Sequence, residues 1–204
     1  MPWLDNFKPL TTNPSLSLYD TIKYSYKPLN EQEEFYKRQG YQLDKSLSND
    51  NQQVLYNPNT KKLLYNIAGT HKLSDWGTDL NLALGNLKNT SRYKEADERL
   101  KQAKQKYGVN SATISGHSLG SSIGSYIAKP EDKAYLLNGG YTIGQKSRDY
   151  GGNHKFYRVG GDLVSLFGAR NDGVMNTLNN KHGYLTNFLD AHNVEQIKDK
   201  NIFI

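Results

Sequence analysis

The sequence predicts an α/β fold, a mostly parallel central sheet with helices on both faces. Three observations carry this. Short apolar segments recur at Lys62–Ile67, Ala112–His117, Ala134–Leu137 and His154–Val159, each the length of a buried strand. Amphipathic stretches lie between them, so strands and helices alternate along the chain. One of these strands runs through Gly116-His117-Ser118-Leu119-Gly120 into small residues and Ile at helical spacing. That is strand, tight turn, helix, with a serine at the bend.

Length and composition bound the rest. At 204 residues the chain is expected to be one folded unit, long enough for a sizeable core. Its hydrophobic fraction is low at 36%, and 15 tyrosines carry much of it, which implies a polar, tyrosine-rich surface. A net charge of +6 is compatible with contact at an anionic membrane surface, although it reads first as a solvated surface. No nucleic-acid partner is expected. There is no cysteine, which excludes a disulfide framework and thiol chemistry. Met1–Lys8 has no signal-peptide core, and no run is long and apolar enough to span a bilayer. The expectation is a soluble protein, cytoplasmic or virion-associated.

Taken in order, residues 1–50 are expected to form an N-terminal arm and helix packed on the domain at residues 51–204. Pro2, Pro9, Pro14 and Pro28 punctuate the arm. Tyr19 to Tyr26 alternates loosely, which reads as short strands in an irregular segment. A helix is expected from Pro28, with Asn30 as cap, Glu33 completing a capping box and Gly40 ending it. Gln52–Tyr56 and Lys62–Ile67 flank Asn57-Pro58-Asn59-Thr60 and read as a hairpin. Leu73–Leu80 begins a further helical pattern. Ser91–Tyr107 is a helix whose apolar stripe is Tyr93, Ala96, Leu100, Ala103 and Tyr107, closed by Gly108. Its interleaved charges of both signs mark a solvated outer face rather than a nucleic-acid-binding one.

The bend at Ser118 has a chemical reading. A serine held in a strained turn exposes its Oγ above the sheet, and the helix N-terminus beneath favours developing negative charge. The amide of Leu119 is one natural oxyanion donor, and the amide of Thr70, after the strand ending at Ala68, is the expected second. The hydroxyl needs a histidine, and the histidine needs a carboxylate. Asp162 fits the acid best, because Gly160-Gly161 ends a strand immediately before it; Asp149 and Asp172 lie in weaker contexts. His192, before a short final helix, is preferred as base over His182 in a polar loop. His117 should point away from the serine and be packed and hydrogen-bonded. His71 either helps hold the oxyanion loop or is exposed, and His154 reads as structural.

With Ile67-Ala68-Gly69-Thr70, Asp75-Trp76-Gly77-Thr78-Asp79-Leu80 and Gly116–Gly120 in this order, residues 50 to 200 resemble the class 3 (fungal-type) triacylglycerol lipases of the α/β-hydrolase fold. The resemblance implies Ser118 as nucleophile, Asp162 as acid, His192 as base, and Thr70 and Leu119 as oxyanion donors. It places Leu73 to Trp76 where that family has a lid or substrate-binding helix, and matches Asp79 to a structural aspartate. The substrate implied is a lipid acyl ester, neutral or phospholipid, and the chemistry calls for no metal or cofactor. The chain departs from the family in lacking a proline soon after Asp162, in being shorter than the fungal enzymes and without their disulfides, and in a lid stretch with few large apolar residues. The alternative is a non-catalytic module that keeps this scaffold for binding or assembly.

Overall fold

In the computed structural model, described over residues 16–70, 86–140, 151–166, 175–180 and 188–204, seven strands form one sheet in the order β1 to β7. β1 (Gln42–Leu43), β2 (Gln52–Asn57) and β3 (Lys62–Ile67) are antiparallel neighbours. β3, β4 (Thr113–His117), β5 (Lys133–Leu137), β6 (His154–Val159) and β7 (Met175–Leu178) are parallel. The expected hairpin is the β2–β3 pair, and its turn is fastened by Asn57, whose Oδ1 accepts from the amides of Asn59 and Thr60. The architecture is the expected α/β arrangement, a mostly parallel sheet with helices packed on it.

Every parallel step moves the same way across the sheet. Connections of one hand therefore leave their helices on one face. α3 (Ser91–Tyr107) and α4 (Leu119–Ile127) do pack together there. Ala96, Leu100 and Ala103 of α3 and Leu119, Ile123 and Ile127 of α4 join Tyr65, Ile67, Ile114, Leu136 and Phe156 in one buried cluster. α3 begins and ends as its sequence dictates, with Thr90 Oγ1 accepting from the amide of Tyr93 and Gly108 in the left-handed region at φ 62°.

The opposite face is covered by the two ends of the chain. α1 (Leu18–Ser25) and α2 (Leu29–Arg38) pack there with the C-terminal segment. The short strands expected between Tyr19 and Tyr26 are instead the helix α1. Its start is a reciprocal cap: Ser17 Oγ donates to Asp20 Oδ2 at 2.6 Å and accepts from the Asp20 amide at 3.0 Å. Leu18, Tyr19 and Ile22 are buried against Leu137 and Val159 of the sheet, and burial of that stripe outweighs the modest helix propensity of the tyrosines and β-branched residues. α2 starts one residue earlier than its expected cap; Pro28 is the N-cap and Asn30 lies within the first turn. Gly40 ends that helix at φ 78°. The strand β7 was not expected, because Asn176 and Thr177 break any apolar run at this sheet edge.

Among the described residues, no helix is long and apolar enough to cross a membrane.

Candidate active site at the carboxyl ends of the strands

Ser118 separates β4 from α4 and has φ 55° and ψ −125°, a backbone conformation that costs a non-glycine residue on the order of 1–3 kcal/mol. The neighbouring glycines make it possible. A Cβ on Gly116 would lie 2.6 Å from the carbonyl oxygen of Gly120, and a Cβ on Gly120 would fall onto the carbonyl of Ile67. Strand, bend and helix are thus closer than any side chain permits. The Ser118 amide donates to Leu137 O at 2.9 Å, tying the bend to β5. Its Oγ is buried and has no hydrogen-bond partner among the described residues.

Gly69 lies directly against this serine: a Cβ there would be 3.0 Å from Ser118 Cβ and 2.9 Å from His117 O. The half-buried Thr70 follows it at the carboxyl end of β3. The loop is held from outside by Arg92 of α3, whose guanidinium donates to Ala68 O at 2.7 Å and Gly69 O at 3.4 Å.

Asp162 and His192 are brought together. His192 Nδ1 donates to Asp162 Oδ1 at 2.7 Å, and both residues are at most 2% exposed. Asp162 also accepts from the amides of Val164 and Ser165, so its carboxylate both orients the imidazole and caps α5 (Leu163–Leu166). Gly161, at φ 87°, makes the turn from β6 into it. His192 closes the short helix α6 (Phe188–His192), and Asn193 then caps a 3₁₀ turn at Val194–Ile197 where the sequence suggested a final helix.

The base loop is fastened to the bend by His117. His117 Nε2 donates to the His192 carbonyl at 2.9 Å, and the two rings sit 4.7 Å apart between centroids. His117 is packed and hydrogen-bonded as expected, but its partners lie inside the site. Its pKa is pushed down to about 3, first by burial and then by the His192 ring, so it stays neutral. Its Nδ1 accepts from Tyr26 Oη at 2.7 Å. Asn138, at the end of β5 and φ 51°, accepts from the amide of Val159 and donates to Ala191 O and His192 O.

Ser118, Gly69-Thr70, Asp162 and His192 therefore gather at the carboxyl ends of β3, β4 and β6 and beyond β7, where open α/β sheets build their sites. Tyr26, Arg92 and Asn138 were not anticipated. Asn138 had a local signal, an Asn-Gly-Gly at a strand end. Tyr26 and Arg92 act across long sequence separations and had none. His154 is structural, its Nε2 donating to Lys129 O at 3.1 Å. His71, Leu73, Trp76, Asp79, Asp149, Asp172 and His182 lie outside the described residues.

No family model matches the chain, and no curated protein matches it in sequence. Among solved structures it is similar to one of a Rhizomucor miehei lipase propeptide complex, a deletion mutant, at 12% identity and a TM-score of 0.46. The match takes in 72% of this chain and 59% of that one.

Proposed function

We propose that this protein is a serine carboxylic-ester hydrolase acting on lipid acyl esters. The observation that supports it best is the strained Ser118 bend, hydrogen-bonded through His117 to the segment that carries a buried His192–Asp162 pair. A scaffold serving only to bind has no use for that combination of backbone strain and a buried, oriented imidazole.

In the proposed reaction Ser118 Oγ attacks the ester carbonyl carbon and His192 Nε2 takes its proton. Nδ1 is committed to Asp162, which fixes the tautomer and stabilises the imidazolium that forms. The carbonyl oxygen, now negative, receives hydrogen bonds from the amides of Thr70 and Leu119; one such donor is typically worth about 3–4 kcal/mol of barrier. His192 returns the proton to the leaving alcohol and the acyl group stays on Ser118. Water, deprotonated by His192, then releases the acid and restores the serine. The lipid part of the reading rests on the resemblance described above and on the +6 charge, which would favour approach to anionic surfaces.

The test compares the parent with Ser118→Ala on short- and long-chain p-nitrophenyl esters, with fluorophosphonate labelling of the folded protein. Turnover and labelling lost only in the variant support the reading; equal rates in the two proteins overturn it. Fatty-acid release from phosphatidylglycerol vesicles against triolein then separates phospholipid from neutral lipid.

A further inference from the structure

Resting on the reading of Ser118 as nucleophile, we propose that Tyr26 is a positioning residue of the reaction centre, which acts with His117 to set the oxyanion loop at Gly69-Thr70 and the base at His192 relative to each other.

The hydrogen-bond directions leave one arrangement. The Gly69 amide can only donate, so at 2.8 Å it gives its proton to the Tyr26 hydroxyl oxygen. The His192 carbonyl can only accept, so at 2.9 Å it receives the proton of His117 Nε2. A neutral imidazole with hydrogen on Nε2 has a bare Nδ1, and the Tyr26 hydroxyl fills it at 2.7 Å. The result is one directed chain: Gly69 N–H to Tyr26 Oη, Tyr26 O–H to His117 Nδ1, His117 Nε2–H to His192 O. It begins one residue before a proposed oxyanion donor and ends on the backbone of the proposed base. Ser118 follows His117 directly in the chain, and Gly69 lies against it.

Tyr26 reaches this place from the C-cap of α1, on the sheet face opposite α4. The chain's N-terminal helix is thus part of the site and not an accessory to the domain. The tyrosine ring also meets the His117 ring edge-on, with 5.9 Å between centroids. Phenylalanine would keep that packing and remove only the hydroxyl. The Gly69 amide would then lose its acceptor and His117 Nδ1 its donor. The oxyanion loop and the base would be held less well in register, with no change in what binds substrate. A misplacement of this kind is read in the chemical step and not in ground-state binding.

The experiment measures Tyr26→Phe, His117→Leu and His117→Gln beside the parent, using p-nitrophenyl ester turnover, fluorophosphonate labelling and urea unfolding. In Tyr26→Phe, kcat is expected to fall at least tenfold with KM within twofold, and the urea midpoint to fall measurably while the protein stays folded, because the Gly69 amide and His117 Nδ1 each lose a partner. His117→Leu should lose as much. Gln at the same position can accept from Tyr26 and donate to His192 O, and should recover most of that loss. Nitrogen-15 NMR of the parent should show His117 neutral with its proton on Nε2.

A Tyr26→Phe kcat within twofold of the parent, or a parent His117 ring carrying its proton on Nδ1, would overturn the proposal while leaving the nucleophile reading intact. If Tyr26→Phe does not fold, the His117 pair and the parent ring tautomer decide. A parent inert to esters and to fluorophosphonate alike would remove the reading of Ser118, and this proposal with it.

Discussion

Gly120→Ala is the sharpest test of how the serine bend is built. Gly120 sits in the first turn of α4 with an ordinary helical φ, so alanine meets no dihedral penalty there. On propensity alone the change would stabilise α4 by up to about 1 kcal/mol. The space decides otherwise. The new methyl would overlap the carbonyl oxygen of Ile67 and lie 2.7 Å from both Ile67 C and Ala68 O. Even the longer contacts fall about 0.7 Å short of ordinary van der Waals distance, and all three partners are backbone. No side chain can turn aside; α4 must move off the end of β3. Overpacking of this kind costs about 1–3 kcal/mol and occasionally more, and a clash onto backbone lies at the upper end, so after the propensity gain the net effect is a loss of about 2 kcal/mol. For a chain of this size that is a fall of roughly 2–4 °C in Tm per kcal/mol. Because the displaced helix carries Ser118 and Leu119, ester turnover should fall further than stability does. Gly152→Ala is the control, since its methyl would meet open space, and it should stay within about 0.5 kcal/mol. Urea unfolding and ester turnover on the three proteins read the outcome. A Gly120→Ala protein as stable and as active as the parent would refute the reasoning.

Other consequences follow from the same geometry. Asp162→Asn keeps an acceptor for the α5 amides but turns an N–H toward His192 Nδ1, forcing the ring's own proton onto Nε2; kcat should fall by about 10⁴ with the fold intact by circular dichroism. His117 is held at a pKa of about 3 in the folded protein against about 6.5 unfolded, so the unfolded chain takes up a proton in that window that the folded one refuses. This contribution is complete above pH 6.5 and declines as pH falls toward 3, by up to about 1.4 kcal/mol per pH unit; urea unfolding between pH 8 and pH 4 should show the slope, and His117→Gln should flatten it. Asp44 is partly desolvated, but bonds from Lys106, Ser46 and Tyr107 hold its pKa at about 2, so it adds its own loss only below about pH 4. Arg92→Met keeps the aliphatic stem but frees the Ala68 and Gly69 carbonyls, for a loss of about 1.5–3 kcal/mol in thermal unfolding and a lower kcat.

Part of the site was legible because its signals are local. Gly116 and Gly120 are spaced as a strand-to-helix bend requires, and Gly160-Gly161 announces the turn that presents Asp162. His192 was chosen by chain order and element context, and the structure pairs it with Asp162 across 30 positions. Tyr26 was beyond such reasoning. Its partners are Gly69 and His117, 43 and 91 positions away, and nothing in Tyr24-Ser25-Tyr26 distinguishes the tyrosine that reaches the site from the one that stacks on Phe35. α1 was misread for a related reason. Its tyrosines and β-branched residues favour strand locally, and only docking on a sheet face rewards the helical stripe of Leu18, Tyr19 and Ile22.

What the amino-acid sequence determined by itself was the class of fold, the elements with strong periodicity and the residues of the bend, all set by spacing within a few positions. Coverage of both sheet faces was also expected from the sequence, but the structure reached it by another route. Alternating strands and helices would suggest helices shared between the faces, whereas a sheet that grows in one direction puts α3 and α4 on one side. The apolar face left bare had to be buried, and the two ends of the chain are what cover it. That burial carries Tyr26 and His192 to the two ring nitrogens of His117, beside Ser118 in the chain, a placement set by where surfaces meet and not by any spacing along the chain.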